Sequence, residues 1–129
     1  METQPLLVVD DETLIRLDLV DVLEAGGFTV QDCADGSAAL NYVDGSGHLC
    51  GLVTDINLGG KISGWEVARQ GRKKFPNLAV VYITGDSASQ WPFEGVPNSM
   101  VLQKPFADAQ ILNAVTTLMN QQSNQSNTE

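Results

Sequence analysis

Asp10, Asp11 and Glu12 follow directly on the apolar run Leu6-Leu7-Val8-Val9, and Asp55 and Asn57 follow Leu52-Val53-Thr54. Thr84, Gly85 and Asp86 come after Leu78-Ala79-Val80-Val81-Tyr82-Ile83, and Lys104-Pro105 after Val101-Leu102. Carboxylates brought together repel, by about 4 kcal/mol for a pair ~4 Å apart at an effective dielectric of ~20, and raise one another's pKa. A divalent cation relieves that repulsion. Oxygen ligands of this kind suit Mg2+, which keeps waters and often completes its shell with phosphate oxygens. Lys104 offers a point charge suited to a phosphoryl oxygen, and Thr84 a hydroxyl that can donate to another. An Asp beside such groups can attack phosphorus and become an aspartyl phosphate. Singly, each piece has a plainer use, Asp-Asp as a helix cap and Lys-Pro as a turn. Following one apolar run after another, they are hard to explain as caps.

The elements that must position these residues can be read from the apolar pattern. Residues 6–9, 28–33, 52–54, 78–83 and 101–102 read as strands. The run from Leu78 to Ile83 is the longest and does not alternate, which places it at the centre of a sheet. Between them, Ile15, Leu19, Val22 and Leu23 fall at helical spacing before Gly26-Gly27, and Asp35 can cap a helix that stops at Gly45. Residues 66–75 form a further helix, ended by Pro76. Ile111, Leu112, Val115, Leu118 and Met119 make one apolar stripe on a last one. Strand–helix alternation implies right-handed βαβ crossovers. Five strands of this size fit an α/β fold, a flavodoxin-like doubly wound parallel sheet in the order 2-1-3-4-5. Such sheets bind ligands at the carboxyl ends of their strands. Every strand but the second, an edge strand in this order, aims a polar group there.

The 129 residues fit one domain, and 43% hydrophobic against 18% charged supplies a core. Seven basic against sixteen acidic residues give a net charge of −9. That balance argues against nucleic acid and against an anionic membrane surface. No apolar run reaches the roughly 20 residues of a transmembrane helix, and the start Met1-Glu2-Thr3-Gln4-Pro5 is no signal peptide. The expectation is a soluble cytoplasmic domain. Cys33, Cys50 and the single His48 lack the spacing of a metal site or a disulfide scaffold. Residues 1–120 read as the domain and residues 121–129 as a polar, disordered tail, or as a cut linker.

As a set, Leu7-Val8-Val9-Asp10-Asp11-Glu12, Val53-Thr54-Asp55, Ile83-Thr84-Gly85 and Lys104-Pro105-Phe106 resemble response-regulator receiver domains, the phosphoacceptors of bacterial two-component signalling. The resemblance covers about residues 5–120 and points to a chemotaxis-regulator-like, stand-alone regulator. It implies Asp55 as the phosphorylated residue, with Thr84 as switch hydroxyl and Lys104 as phosphate contact. It implies Mg2+ held by Asp10, Asp11, Asp55 and the backbone carbonyl of Asn57, with Asp10 often acting through water. It implies a sensor histidine kinase or histidine phosphotransfer protein upstream and a protein target downstream. The domain would be a monomer or weak homodimer, catalysing nothing but its own phosphorylation and dephosphorylation.

The chain departs from the family pattern in three places. Gly59 stands where a Pro is usual, and the glycine usual eight residues past the acceptor comes one residue late, at Gly64, so this loop is longer and looser. Val101 occupies the place of the switch aromatic, so an inward-turning ring cannot couple to Thr84 from that position. Residues 87–97 hold Pro92, Gly95 and Pro97, which predicts a broken or single-turn fourth helix. Trp91 and Phe93 there either pack over the sheet edge or form an exposed partner patch. Phosphorylation would order this segment and re-expose the face beside it.

Rival readings can be weighed on the sequence. A haloacid-dehalogenase-type phosphatase needs an acid two residues past its nucleophile, where this chain has Asn57. A flavin binder would be repelled by Asp10-Asp11-Glu12. A phosphorylation-independent interaction module, or the receiver piece of a hybrid kinase or multidomain regulator, keeps the fold without deciding the chemistry.

Overall fold

The computed structural model describes the backbone of residues 5–127 and the side chains of residues 5–121. Strands and helices alternate: β1 (Pro5–Val9), α1 (Thr13–Ala25), β2 (Thr29–Cys33), α2 (Gly36–Gly45), β3 (Gly51–Asp55), α3 (Gly64–Lys74), β4 (Ala79–Thr84), α4 (Trp91–Glu94), β5 (Ser99–Gln103) and α5 (Asp108–Asn127). A 3-10 turn, Ala88–Gln90, precedes α4. The strands pair in parallel in the order β2-β1-β3-β4-β5. This is the flavodoxin-like arrangement expected from the sequence. β4 lies inside the sheet as its apolar run requires, but the middle strand is β3.

Side chains of successive strand residues point to opposite faces, and both faces are covered. Leu7, Val9, Leu52, Val80 and Tyr82 pack with Val43 of α2 and with Val67 and Ala68 of α3. Leu6, Val8, Val53, Val81 and Ile83 pack with Leu19 and Leu23 of α1 and with Ile111, Val115 and Leu118 of α5. Burial on both sides is why the inner strands read as unbroken apolar runs rather than alternating ones. In β1 and β4 it also leaves the charged and hydroxyl-bearing candidates at or just past the carboxyl ends.

Local signals set the element boundaries. Asp35 accepts a hydrogen bond from the Ala38 N–H (2.8 Å) and starts α2, as the sequence predicts. Ser63 caps α3 through Glu66 N–H. Pro92 sits in the first turn of α4, where its missing N–H costs nothing, and Gly95 ends the helix after one turn. The helix is as short as its two prolines and glycine require. α5 continues to Asn127 because no Gly or Pro interrupts residues 108–127. Its backbone therefore takes in most of the segment read as a polar tail, while residues 1–4, 128 and 129 lie outside the described ones.

The loop between β3 and α3 is longer than the family pattern but is not slack. Ile56 and Leu58 are buried in it. The Gly64 N–H donates to the Ile56 carbonyl (2.8 Å), and a Cβ on Gly64 would overlap the carbonyl oxygen of Asp55. The helix thus begins against the backbone of the strand end that carries Asp55. Gly64→Ala is expected to cost about 1–3 kcal/mol or more in urea unfolding. Gly60→Ala, which meets nothing within 4 Å, should stay within about 0.5 kcal/mol of wild type.

Candidate functional site

The carboxyl ends of β1 and β3 bring Asp10, Asp11, Glu12 and Asp55 together. One carboxylate oxygen from each lies within 4.8 Å of the others, a group that could hold a metal ion. Asp10 and Asp55 are buried, whereas Asp11 and Glu12 are exposed. An open cleft of about 370 Å³ is lined by Asp11, Glu12, Asp55, Asn57, Gly85, Asp86 and Lys104.

Asp10 does not cap α1, whose N-cap is Glu12 with no side-chain bond, and its two carboxylate oxygens differ. Its Oδ1 accepts from the Glu12 N–H (2.8 Å), a turn that leads into α1. Its Oδ2 is buried with no hydrogen-bond partner among the described residues. Lys104 Nζ stands 3.6 Å from that atom, 3.3 Å from Asp55 Oδ2 and 2.8 Å from Glu12 Oε1. One ammonium is therefore shared among three carboxylates. Glu12 follows the first strand as Asp10 and Asp11 do, but the family resemblance gives it no role in the site. It belongs to the same acidic triplet, but its reach to a lysine 92 positions away is a tertiary fact.

The electrostatics follow the burial. Burial pushes the Asp55 carboxyl up from its ordinary 3.8 to about 6, with Lys104 pulling it down and Asp10 adding to the rise. Burial likewise raises Asp10, against the Glu12 N–H and Lys104. For Lys104 burial opposes the charge, yet the hydrogen bond to Glu12 and the charges of Asp55 and Asp10 outweigh it, and its pKa is raised.

The β4 side of the cleft is a hydrogen-bonded loop. Thr84 is fully buried, and its Oγ1 accepts from the N–H groups of Asp86 (3.2 Å) and Ser87 (2.8 Å). Both lone pairs being occupied, the hydroxyl hydrogen is left to donate. Asn57 Nδ2 crosses from the β3 side to Asp86 Oδ1 (3.1 Å) and Ser87 Oγ (3.2 Å). Gly59 takes a left-handed φ of 77° with its α-carbon facing Asp11, a conformation and an approach that favour glycine.

Beyond this loop, residues 87–98 are strapped to the domain. Trp91 Nε1 donates to Ser99 Oγ (2.9 Å), which donates to the Val96 carbonyl (2.6 Å). The Val96 N–H donates to the hydroxyl of buried Tyr82 (3.0 Å). Arg72 donates to the carbonyls of Leu78, Pro97 and Asn98, and Arg69 pairs with Glu94. The two aromatic residues of the segment thus part company: Trp91 packs against the core, whereas Phe93 is 86% exposed. Val101 is half-buried, and the ring near it belongs to Tyr82, its partner on β4.

Fold and site define a doubly wound α/β domain with an acidic cluster and a lysine at the carboxyl ends of its strands. The response regulator receiver domain model matches residues 6–116, and the chain belongs to that family, the phosphoacceptor signalling domains of two-component systems. The crystal structure of a response regulator receiver protein from Sinorhizobium medicae WSM419 superposes with a TM-score of 0.91 at 38% identity, over 94% of this chain and 98% of that one. The transcriptional regulatory protein FixJ of Azorhizobium caulinodans is 29% identical over 99% of this chain and 61% of its own length. The sensor kinase CckA of Brucella abortus is 25% identical over 90% of this chain and 12% of its own. The chain thus spans about three fifths of FixJ and one eighth of CckA. No helix among the described residues is long and apolar enough to cross a membrane.

The Asp55 carboxyl gives a pH test. Its pKa is higher folded than unfolded, so the stability it confers is full below about pH 4 and is lost as pH rises through about 6. The swing is about 3 kcal/mol. In EDTA, the stability gap between Asp55→Asn and wild type should widen in the variant's favour by that order from pH 4 to pH 8. A gap constant across this range in urea unfolding would contradict the burial of an ionisable Asp55.

Proposed function

We propose that this domain takes a phosphoryl group from a phosphohistidine of a histidine kinase or phosphotransfer protein onto Asp55, with Mg2+ bound beside it. A carboxylate oxygen of Asp55 attacks phosphorus, a P–O bond forms, the P–N bond breaks, and the imidazole nitrogen keeps the electron pair. The single observation that carries this reading is the convergence of Asp10, Asp11, Asp55 and Lys104, with an unpartnered buried oxygen on Asp10.

Asp10, Asp11, Asp55 and the backbone carbonyl of Asn57 would hold the Mg2+. The donor set is all oxygen and short of positive charge, which suits a hard cation. When bound, the ion neutralises charge developing on the transferred group. The chain's own residues do the rest. Asp55 is mostly ionised above pH 7, and so nucleophilic, although burial raises its pKa to about 6. Lys104 already lies 3.3 Å from the attacking carboxylate. The Thr84 hydroxyl has its hydrogen free to donate to a phosphoryl oxygen.

A phosphoryl group adds about −1.5 to −2 charge and three acceptor oxygens. Drawn toward it, Thr84 would carry the amides of Asp86 and Ser87, and so the start of the 87–98 segment. Signal output would then pass to a downstream protein through that segment, in the cytoplasm where the kinase partner acts, with the domain a monomer or weak dimer.

Incubation with Mg2+ and acetyl phosphate or phosphoramidate should add one phosphate by intact-mass measurement. The gain should vanish in Asp55→Asn and in EDTA, and fall as pH drops through about 6. A wild-type chain that stays unmodified would overturn the proposal. Beryllofluoride with Mg2+ should change amide exchange in residues 86–101, and unchanged exchange there would remove the proposed output.

A further inference from the structure

Arg16 lies one turn into α1, outside the acidic cluster, with its side chain only 16% exposed. Its Nη1 donates to the backbone carbonyl of Asp10 (2.9 Å), and its Nε to Asp32 Oδ2 (2.8 Å) on the neighbouring strand β2. One guanidinium therefore ties the carboxyl ends of β1 and β2 together at the residue that opens the acidic site. The planar fork suits two such acceptors at once.

Asp10 is held on every polar atom but one. Its N–H donates to the Cys33 carbonyl (3.2 Å), its carbonyl accepts from Arg16 and its Oδ1 accepts from the Glu12 N–H. The remaining atom, Oδ2, is the buried oxygen with no hydrogen-bond partner among the described residues. These restraints leave it facing Lys104 and the other carboxylates. The peptide between Asp10 and Asp11 is held through the Arg16 bond to its carbonyl, and exposed Asp11 depends on that peptide for its place at the mouth of the cleft.

We propose that Arg16 is a positioning residue for the cation site, fixing the Asp10–Asp11 peptide so that both carboxylates are aimed before a cation arrives. The inference rests on the Mg2+-assisted phosphoacceptor reading above. Asp32 is the second half of the device, since it holds the guanidinium in place. The alternative is that Arg16 acts only as a nearby positive charge, and Lys separates the two. A lysine keeps the charge but cannot bridge both acceptors with a rigid fork.

The test is Mg2+ affinity by calorimetry and the rate of phosphorylation by acetyl phosphate, both on the folded 129-residue chain. Residues that orient metal ligands typically cost about 10- to 100-fold in affinity when removed. Arg16→Lys and Arg16→Met should each weaken Mg2+ binding about tenfold and slow phosphorylation at subsaturating Mg2+, with the rate largely restored at saturating Mg2+. Asp32→Asn, the milder change, should weaken binding in the same direction. The double variant Arg16→Met/Asp32→Asn should be no worse than Arg16→Met alone. Arg16→Lys equal to wild type in affinity, or effects of Arg16 and Asp32 that simply multiply, would overturn the proposal. A wild-type protein that neither binds Mg2+ nor takes up phosphate would overturn the phosphoacceptor reading and this inference with it.

Discussion

Two buried carboxylates, Asp10 and Asp55, face each other across the ends of adjacent parallel strands, and the rest of the site is arranged around that repulsion. Burying a charge is costly unless it is paired, and the described residues offer one ammonium, Lys104, for both and for Glu12 as well. Burial is the main cause of the raised pKa of Asp55, with Asp10 adding to the rise, and the same crowded site leaves Oδ2 of Asp10 without a hydrogen-bond partner among the described residues. The fold tolerates it because its stability comes from elsewhere. Two apolar faces cover β1, β3 and β4 along their length and leave the strand ends to carry the strain. A cation or phosphoryl group that relieves such a site shifts the domain by as much as it favours the relieved state.

The transmission element follows from β4. Thr84 and Tyr82 are two residues apart on one strand, so their side chains share a face. Thr84 holds the start of the 87–98 segment through the Asp86 and Ser87 amides, and Tyr82 holds its end through the Val96 amide. Arg72 fixes the same end through the Pro97 and Asn98 carbonyls. The segment is thus anchored at one end independently of the site and at the other end by a residue within it. With Val101 in place of an aromatic residue on β5, the buried ring beside this segment comes from β4 instead.

Most of this is legible in the sequence because parallel sheets covered on both faces force polar residues to the strand ends. Asp10, Asp11, Asp55, Thr84 and Lys104 can be picked out from the first positions after each apolar run. The single-turn fourth helix is legible from Pro92, Gly95 and Pro97, since their backbone limits act locally. Glu12–Lys104, Arg16–Asp32 and Tyr82–Val96 are not, because each joins residues 14 to 92 positions apart through side-chain reach. The loop after β3 reads as slack, wrongly, for a related reason. A late glycine looks like freedom in one dimension, whereas Gly64 is there because the Asp55 carbonyl occupies the space a Cβ would need.

Lys104 shows why a site this crowded can still change state at modest cost. Its shortest ion pair is to Glu12, whose side chain is 59% exposed, while its partners Asp10 and Asp55 are almost fully buried. An exposed pair contributes at most about 1 kcal/mol, and water replaces the lost partner when it breaks. A buried carboxylate stripped of its only cation has no such substitute and costs several kcal/mol. New negative charge on Asp55 would therefore draw the ammonium away from Glu12 rather than from the interior. The asymmetry lies in where the three acids sit, and that is fixed by the sheet: Asp55 ends β3 and Asp10 directly follows β1, while Glu12 has already turned out toward the first helix.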